Sequence, residues 1–403
     1  MPDKALGHLR VLELCRLVCG PYCTKLLADL GAEVIKVEPP GSGDEARRRG
    51  PYLKDAPDAE LSGLFLYLNT NKLGITLDVG TSTGRKVLRE LIAQADVFVE
   101  DNPPAFMEEL GLTYNEVRAI NPRLVMTSIT PFGRTGPYRD YRAHELNVYH
   151  AGGEGYMMPI ESPYPDREPV KGGGLVGDCM CGLSAALATL AAVYRARATG
   201  QGQQVDVSRQ DVLMTMVGLE VAMYAYSGMV RTRHHRKTLM AVPLECRDGG
   251  YIMVSAFADR DWQNMARFMG RAAWAEDERF SNIVGRWVHA EELMPAVEEW
   301  AAGYEKEDLF HRLQALSIAA APVNTPEDVV KSPQMQARGF LTEMDHARAG
   351  RLKYPAPSYR FSQTPCSTDR GAPLLGQHNE LVYCEKLGYS RDDLVGMAEA
   401  GVI

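Results

Sequence analysis

The sequence predicts a mixed α/β fold built on a mostly parallel sheet, on three observations. Short apolar runs with strand composition occur at 11–14 (VLEL), 33–38 (EVIKVE), 96–100 (DVFVE), 124–130 (LVMTSIT) and 204–208 (QVDVS). Helical segments separate them, which is how parallel neighbours are connected. With 403 residues, 45% hydrophobic and 24% charged, the chain has ordinary globular composition and length for more than one core.

In chain order, the strand at 11–14 leads through a Gly20-Pro21 turn into a helix. Cys15, Cys19 and Cys23 straddle that junction four residues apart, and no second Cys or His pair completes a zinc pattern. The eight cysteines (15, 19, 23, 179, 181, 246, 366 and 384) are therefore expected as buried apolar side chains, without disulfides or a metal. After the strand at 33–38, Gly41-Ser42-Gly43-Asp44-Glu45-Ala46 fits the G-x-G-x-x-A dinucleotide pattern. Pro39-Pro40 forces an extended exit there, where that fingerprint needs a tight turn into a helix, so no nicotinamide site is expected.

A second α/β segment opens near Tyr251 with YIMVSA, runs through helices around 261–270 and 306–318, and closes on the strand-like APVNT. The basic run 231–240 reads as a linker, and from about 330 the Pro- and Gly-punctuated tail shows few regular elements. The expected division is 1–225 as a large domain, 226–330 as linker and small α/β domain, and 331–403 as a C-terminal segment.

A net charge of −8 argues against nucleic acid as a partner. The N-terminus lacks the basic start and apolar stretch of a signal peptide. The apolar helix around 182–194 falls short of the roughly 20 residues that span a bilayer. A cytoplasmic, membrane-free protein is expected.

The most informative stretch is 172–208. Gly172, Gly173, Gly174 and Gly177 remove side chains around Asp178, and Leu183, Ala186, Leu187, Leu190, Ala191 and Tyr194 then recur at helical spacing as far as Gly200. Asp178 thus falls at or just before a helix N-terminus, where backbone N–H groups and the helix dipole favour a carboxylate. Spacing alone favours an N-cap over a nucleophile.

Taken together, segments 10–44, 69–78, 95–101, 110–125, the run GDCMCGLSAALATL and APLLGQHNELV (372–382) resemble the class III CoA-transferase family, which includes formyl-CoA transferase, carnitine CoA-transferase and α-methylacyl-CoA racemase. The resemblance implies a Rossmann-like large domain, a smaller α/β domain and a returning tail, so that ring-shaped chains interlock as a dimer. It implies that Asp178 attacks an acyl-CoA thioester to form an aspartyl-acyl anhydride, with Glu145 assisting at the acyl centre. The CoA contacts it implies are Val18, Cys19, Pro39, Lys72, Leu77, Asp101, Asn102 and Arg142. Coenzyme A or acyl-CoA enters as substrate, no cofactor is permanently bound, and no metal is required.

His144-Glu145-Leu146-Asn147 is similar to the racemase motif, in which His144 and Asp178 would exchange protons at a CoA-ester α-carbon. Three departures bear on the choice. The region of the glycine lid, 229–243, reads MVRTRHHRKTLMAVP; Ala258 stands where the racemase has a further glutamate; and Glu109 and Pro39 replace CoA-contacting arginines. The expected function is CoA transfer from an acyl-CoA to a carboxylic acid, a dicarboxylate or an aromatic acid, with Arg142 and the 231–237 basic run as carboxylate partners. The alternatives are a CoA-ester racemase or isomerase, and a non-catalytic CoA-ester-binding subunit paired with a related chain.

Overall fold

The structure is a computed structural model that describes residues 4–159, 166–233 and 242–403. Six strands form its principal sheet: β1 (Arg10–Leu14), β2 (Glu33–Glu38), β3 (Leu73–Thr76), β4 (Val97–Glu100), β5 (Val125–Thr130) and β6 (Gln204–Ser208). Their order is β3-β2-β1-β4-β5-β6 and every pairing is parallel. Five of the six were expected; β3, with the sequence LGIT, is too short and glycine-interrupted to stand out.

Successive strand residues point to opposite faces, and each face has its own core. Val11, Val97, Val99 and Val125 face one core, built with the helices Cys19–Asp29 and Val176–Thr199. Leu12, Phe98 and Met126 face the other, with the helix Ser82–Gln94 and the C-terminal residues Val382 and Tyr383. Covering on both faces explains why β3, β4 and β5 are buried throughout. The order reverses between β1 and β4, and in open parallel sheets ligands bind beyond the carboxyl ends of the strands at such a reversal.

The apolar helix is longer than its expected 182–194 core. It runs for 24 residues with a mean hydropathy of 1.7 over its most apolar window, long and apolar enough by length and composition to cross a bilayer. Half of that window is nonetheless buried inside the fold, with Cys181, Ala185, Ala186 and Ala192 in the sheet-facing core.

Residues 339–403 belong to the same compact unit as 1–158 and 169–231. They hold more regular structure than their Pro and Gly content suggests: an antiparallel pair, β10 (Leu341–His346) and β11 (Gly350–Pro355), and a helix Arg391–Glu399. This segment covers the sheet edge at β3. His378 Nδ1 accepts from the Gly74 N–H at 3.0 Å, Asn379 Oδ1 from the Thr76 N–H at 2.9 Å, and the Tyr383 hydroxyl donates to the Thr76 carbonyl at 2.5 Å.

The second unit comprises 159–168 and 232–338. Its antiparallel sheet, β7 (Val242–Glu245), β8 (Tyr251–Ser255) and β9 (Ala319–Val323), packs with the helices Asp259–Phe268, Ala290–Ala301 and Lys306–Ala315 around Trp262, Phe280, Leu293 and Leu309. Within it Ala258 precedes the first of these helices, and Asp259 pairs with Arg286 at 2.9 Å. Most of the basic run at 231–240 lies outside the described residues.

Candidate active site

Asp178 is the third residue of its helix, buried at 8% exposure. Leu175 holds the N-cap position, and the Asp178 carboxylate pairs instead with the guanidinium of Arg209. The cap reading suggested by spacing therefore fails: this carboxylate faces another element. Arg209 is the first residue of the helix Arg209–Met216, which starts directly after β6 and is capped by Ser208, whose hydroxyl accepts from the Asp211 N–H at 3.2 Å. Sequence reasoning missed Arg209. A basic residue at the carboxyl end of a sheet strand is the signal that would have found it.

A second ion pair stands beside the first. Glu145 opens the helix Glu145–Ala151 and is bound by Lys171 at 3.1 Å, while Lys171 also donates to the Gly174 carbonyl. The Tyr149 hydroxyl accepts from the Gly172 N–H at 3.3 Å, tying the glycine run to the same helix. A Cβ on Gly177 would stand 3.4 Å from Glu145 Oε1, so the bare glycine admits that carboxylate to the start of the Asp178 helix. Burial raises the Asp178 pKa above its ordinary 3.8; Arg209 and Lys171 pull it down and Glu145 pushes it up.

His144 is exposed and sits at the N-cap of the Glu145 helix, its backbone N–H donating to Asn147 Oδ1 at 3.0 Å. Arg142 is exposed as well. Val18 and Cys19 lie buried after β1, and the Cys19 thiol is hydrogen-bonded to that of Cys181, one helical turn past the nucleophile candidate. Asp101 and Asn102 follow β4. Both Asp101 oxygens accept from the Arg16 N–H, at 3.0 and 3.1 Å, and burial pushes its carboxyl up to about 8. Asn102 donates from Nδ2 to the Leu14 carbonyl at 2.9 Å. Val18, Cys19, Asp101 and Asn102 thus gather at the sheet reversal, as the strand order demands. Pro39 is exposed at the end of β2.

Two expected CoA contacts are placed otherwise. Lys72 is fully buried, with its ammonium on Glu13 at 2.8 Å, the Pro21 carbonyl at 2.8 Å and Asn69 Oδ1 at 2.9 Å. Its three donors are occupied inside the protein, so it does not present a cation to a phosphate. Leu77 lies in the core with Val37 and Ile75. Arg47, the first of three consecutive arginines, is likewise enclosed, 2.7 Å from both Glu38 and Glu60. Lys36 completes this buried network, 2.8 Å from Glu13 and 2.8 Å from Asp44. Burial alone would raise the Glu13 carboxyl, but Lys36 and Lys72 outweigh it and hold it at about 2. Among the described residues no cluster of three or more His, Cys, Asp or Glu side chains could hold a metal ion.

The profile of CoA-transferase family III matches residues 6–379. The chain is 32% identical over its full length to succinyl-CoA–D-citramalate CoA-transferase of Chloroflexus aurantiacus, covering 99% of that protein. It is 31% identical to formyl-CoA:oxalate CoA-transferase of Streptomyces avermitilis, over 99% of this chain and 100% of that one. A solved CAIB/BAIF family protein from Brucella suis superposes with a TM-score of 0.83 at 30% identity, over 95% of this chain and 99% of that one. The chain belongs to CoA-transferase family III, and it is an enzyme that moves coenzyme A between an acyl-CoA and a carboxylic acid.

Proposed function

We propose that Asp178 is the nucleophile of this transfer and that the exchanged acids are dicarboxylic. The observation that carries the assignment is a buried carboxylate in the first turn of a glycine-framed helix, ion-paired across the site and not used as a cap. A carboxylate with no proton to lose needs no general base. An Asp178 oxygen bonds to the thioester carbonyl carbon, the carbon–sulfur bond breaks and CoA leaves as thiolate. The unpaired N–H groups of the first helical turn are suitably charged to stabilise the tetrahedral oxyanion. The acceptor carboxylate then bonds to the acyl carbon and releases Asp178. The thiolate next attacks the acceptor carbonyl of that mixed anhydride and expels the donor acid. No net proton or electron is transferred.

Val18, Cys19, Asp101, Asn102 and the exposed Arg142 are the residues proposed to line the CoA path, with Glu145 acting at the acyl centre. The dicarboxylic class rests on the names of the relatives, in which succinate, citramalate and oxalate are dicarboxylic and formate is the one monocarboxylic acid. No separate observation favours racemisation: His144 is exposed and the groups that tune Asp178 are Arg209, Glu145 and Lys171.

The working unit is proposed to be an interlocked dimer in the cytoplasm. Leu187, Tyr194, Leu219 and Tyr226 are 70, 81, 66 and 90% exposed, large apolar side chains of the kind that a second copy or a related subunit covers. Sedimentation of the purified chain tests this, a monomer at micromolar concentration being the contrary result. The chemical proposal is tested by screening acyl-CoA donors against carboxylic acids by mass spectrometry. Asp178→Asn is expected to abolish transfer while retaining CoA binding.

A further inference from the structure

The Arg209 guanidinium is bound to the very carboxylate that the proposed chemistry consumes. At rest Asp178 and Glu145 are matched by Arg209 and Lys171, and Asp101, which also acts on Arg209, keeps its proton below about 8, so at neutral pH the two ion pairs leave no local excess charge. Acylation turns Asp178 into a neutral anhydride. Two cations then face one carboxylate, leaving one positive charge in excess beside the electrophilic carbon. Arg209 also has spare capacity, because its buried Nε has no hydrogen-bond partner among the described residues. A guanidinium offers its N–H groups as a planar fork that matches a carboxylate with two parallel bonds, and a desolvated site strengthens such bonds.

We infer that Arg209 is the anchor for the acceptor carboxylate, handed from Asp178 to the incoming acid when Asp178 is acylated; this rests on Asp178 being the nucleophile. The hand-over imposes an order. Before acylation the guanidinium is occupied and the acceptor meets a balanced site. Afterwards the acceptor carboxylate takes the place of the lost charge and its oxygen is held next to the anhydride carbon. When that oxygen bonds to the acyl carbon and the bond to Asp178 breaks, the carboxylate of Asp178 is restored and reclaims Arg209.

The experiment uses identity exchange between succinyl-CoA and 13C-succinate in the unaltered protein, Arg209→Gln and Arg209→Lys. It is run at about pH 7, where Asp101 keeps its proton, and acylation of each variant is followed against pH so that a raised Asp178 pKa shows as a shifted acidic limb. Single-turnover acylation of Asp178 reads the donor half, and the KM for succinate reads the acceptor half. Acylation is expected to stay within a few-fold in both variants. The KM for succinate is expected to rise on the order of ten- to a hundredfold in Arg209→Gln, the loss of a charge-assisted bond, and less in Arg209→Lys. An acylated Asp178 with an unchanged succinate KM in Arg209→Gln overturns the inference alone, as does an equal loss in both halves. Exchange of succinate without label on Asp178 in the unaltered protein overturns the nucleophile assignment and this inference with it.

Discussion

Gly182 packs against the backbone of Cys19 so closely that a Cβ there would stand 2.6 Å from the Cys19 carbonyl oxygen. This contact sets the spacing between the helix that carries Asp178 and the helix that follows β1. It also explains why a small residue is required in an otherwise strongly helical, alanine-rich stretch. Gly182→Ala removes a poor helix former but overpacks the contact, since the opposing atom is main chain. The expected result is a net destabilisation of about 1–3 kcal/mol, read by urea denaturation. A more stable variant would show that the two helices separate freely.

Lys36 bridges Glu13 and Asp44 with no exposed surface. Lys36→Met leaves both carboxylates buried with one cation fewer, and removing one member of a buried ionic group costs about 3–5 kcal/mol. The same denaturation experiment checks this. The loss is expected to be larger than for exposed Lys331→Met, whose pairing with Glu327 is solvent-screened.

Asp101 gives a pH signature. Unfolded, its carboxyl releases its proton near 3.8, whereas in the folded protein burial holds the proton up to about 8. Between those values the folded state binds more protons, so this group's contribution is complete below about 3.8 and declines as pH rises towards 8, by up to about 1.4 kcal/mol per pH unit. Asp101→Asn keeps the shape and removes the titration. Its stability relative to the unaltered protein is expected to rise from pH 4 to pH 8, and parallel pH curves would contradict the assignment.

Glu145 opposes ionisation of Asp178. Glu145→Gln removes that repulsion and frees Lys171 to act on the nucleophile, so the folded pKa of Asp178 falls. The acidic limb of the acylation rate is expected to move to lower pH, while the rate at neutral pH falls if Glu145 also assists at the acyl centre. A limb that moves upward would mean that the Glu145 charge does not reach Asp178.

Much of this arrangement was legible in the residues, and its failures share a cause. The strands at 33–38 and 204–208 match their observed limits because β-branched and apolar residues fill them. Asp178 was legible through the glycines before it and the helical period after it. Lys72 was misread because a sequence does not tell that Glu13, 59 residues earlier, lies near the end of β1, two strands away from β3 in the sheet, and draws the ammonium inward. Arg209 was missed for the complementary reason: its place at the carboxyl end of β6 was legible, but its pairing with Asp178 spans 31 residues and exists only once β6 places the next helix beside the site. Charges whose partners are supplied by tertiary structure carry no local signature. The β10–β11 pair was hidden by the Pro and Gly residues that follow it.

The central claim is that Asp178 becomes covalently acylated. The direct measurement is incubation of the purified chain with succinyl-CoA, quenching with hydroxylamine and peptide mass spectrometry across the 172–208 region. The predicted result is a hydroxamate mass change on Asp178 that requires the acyl-CoA and disappears in Asp178→Asn together with transfer. An unmodified Asp178, with transfer undiminished in Asp178→Asn, would contradict it.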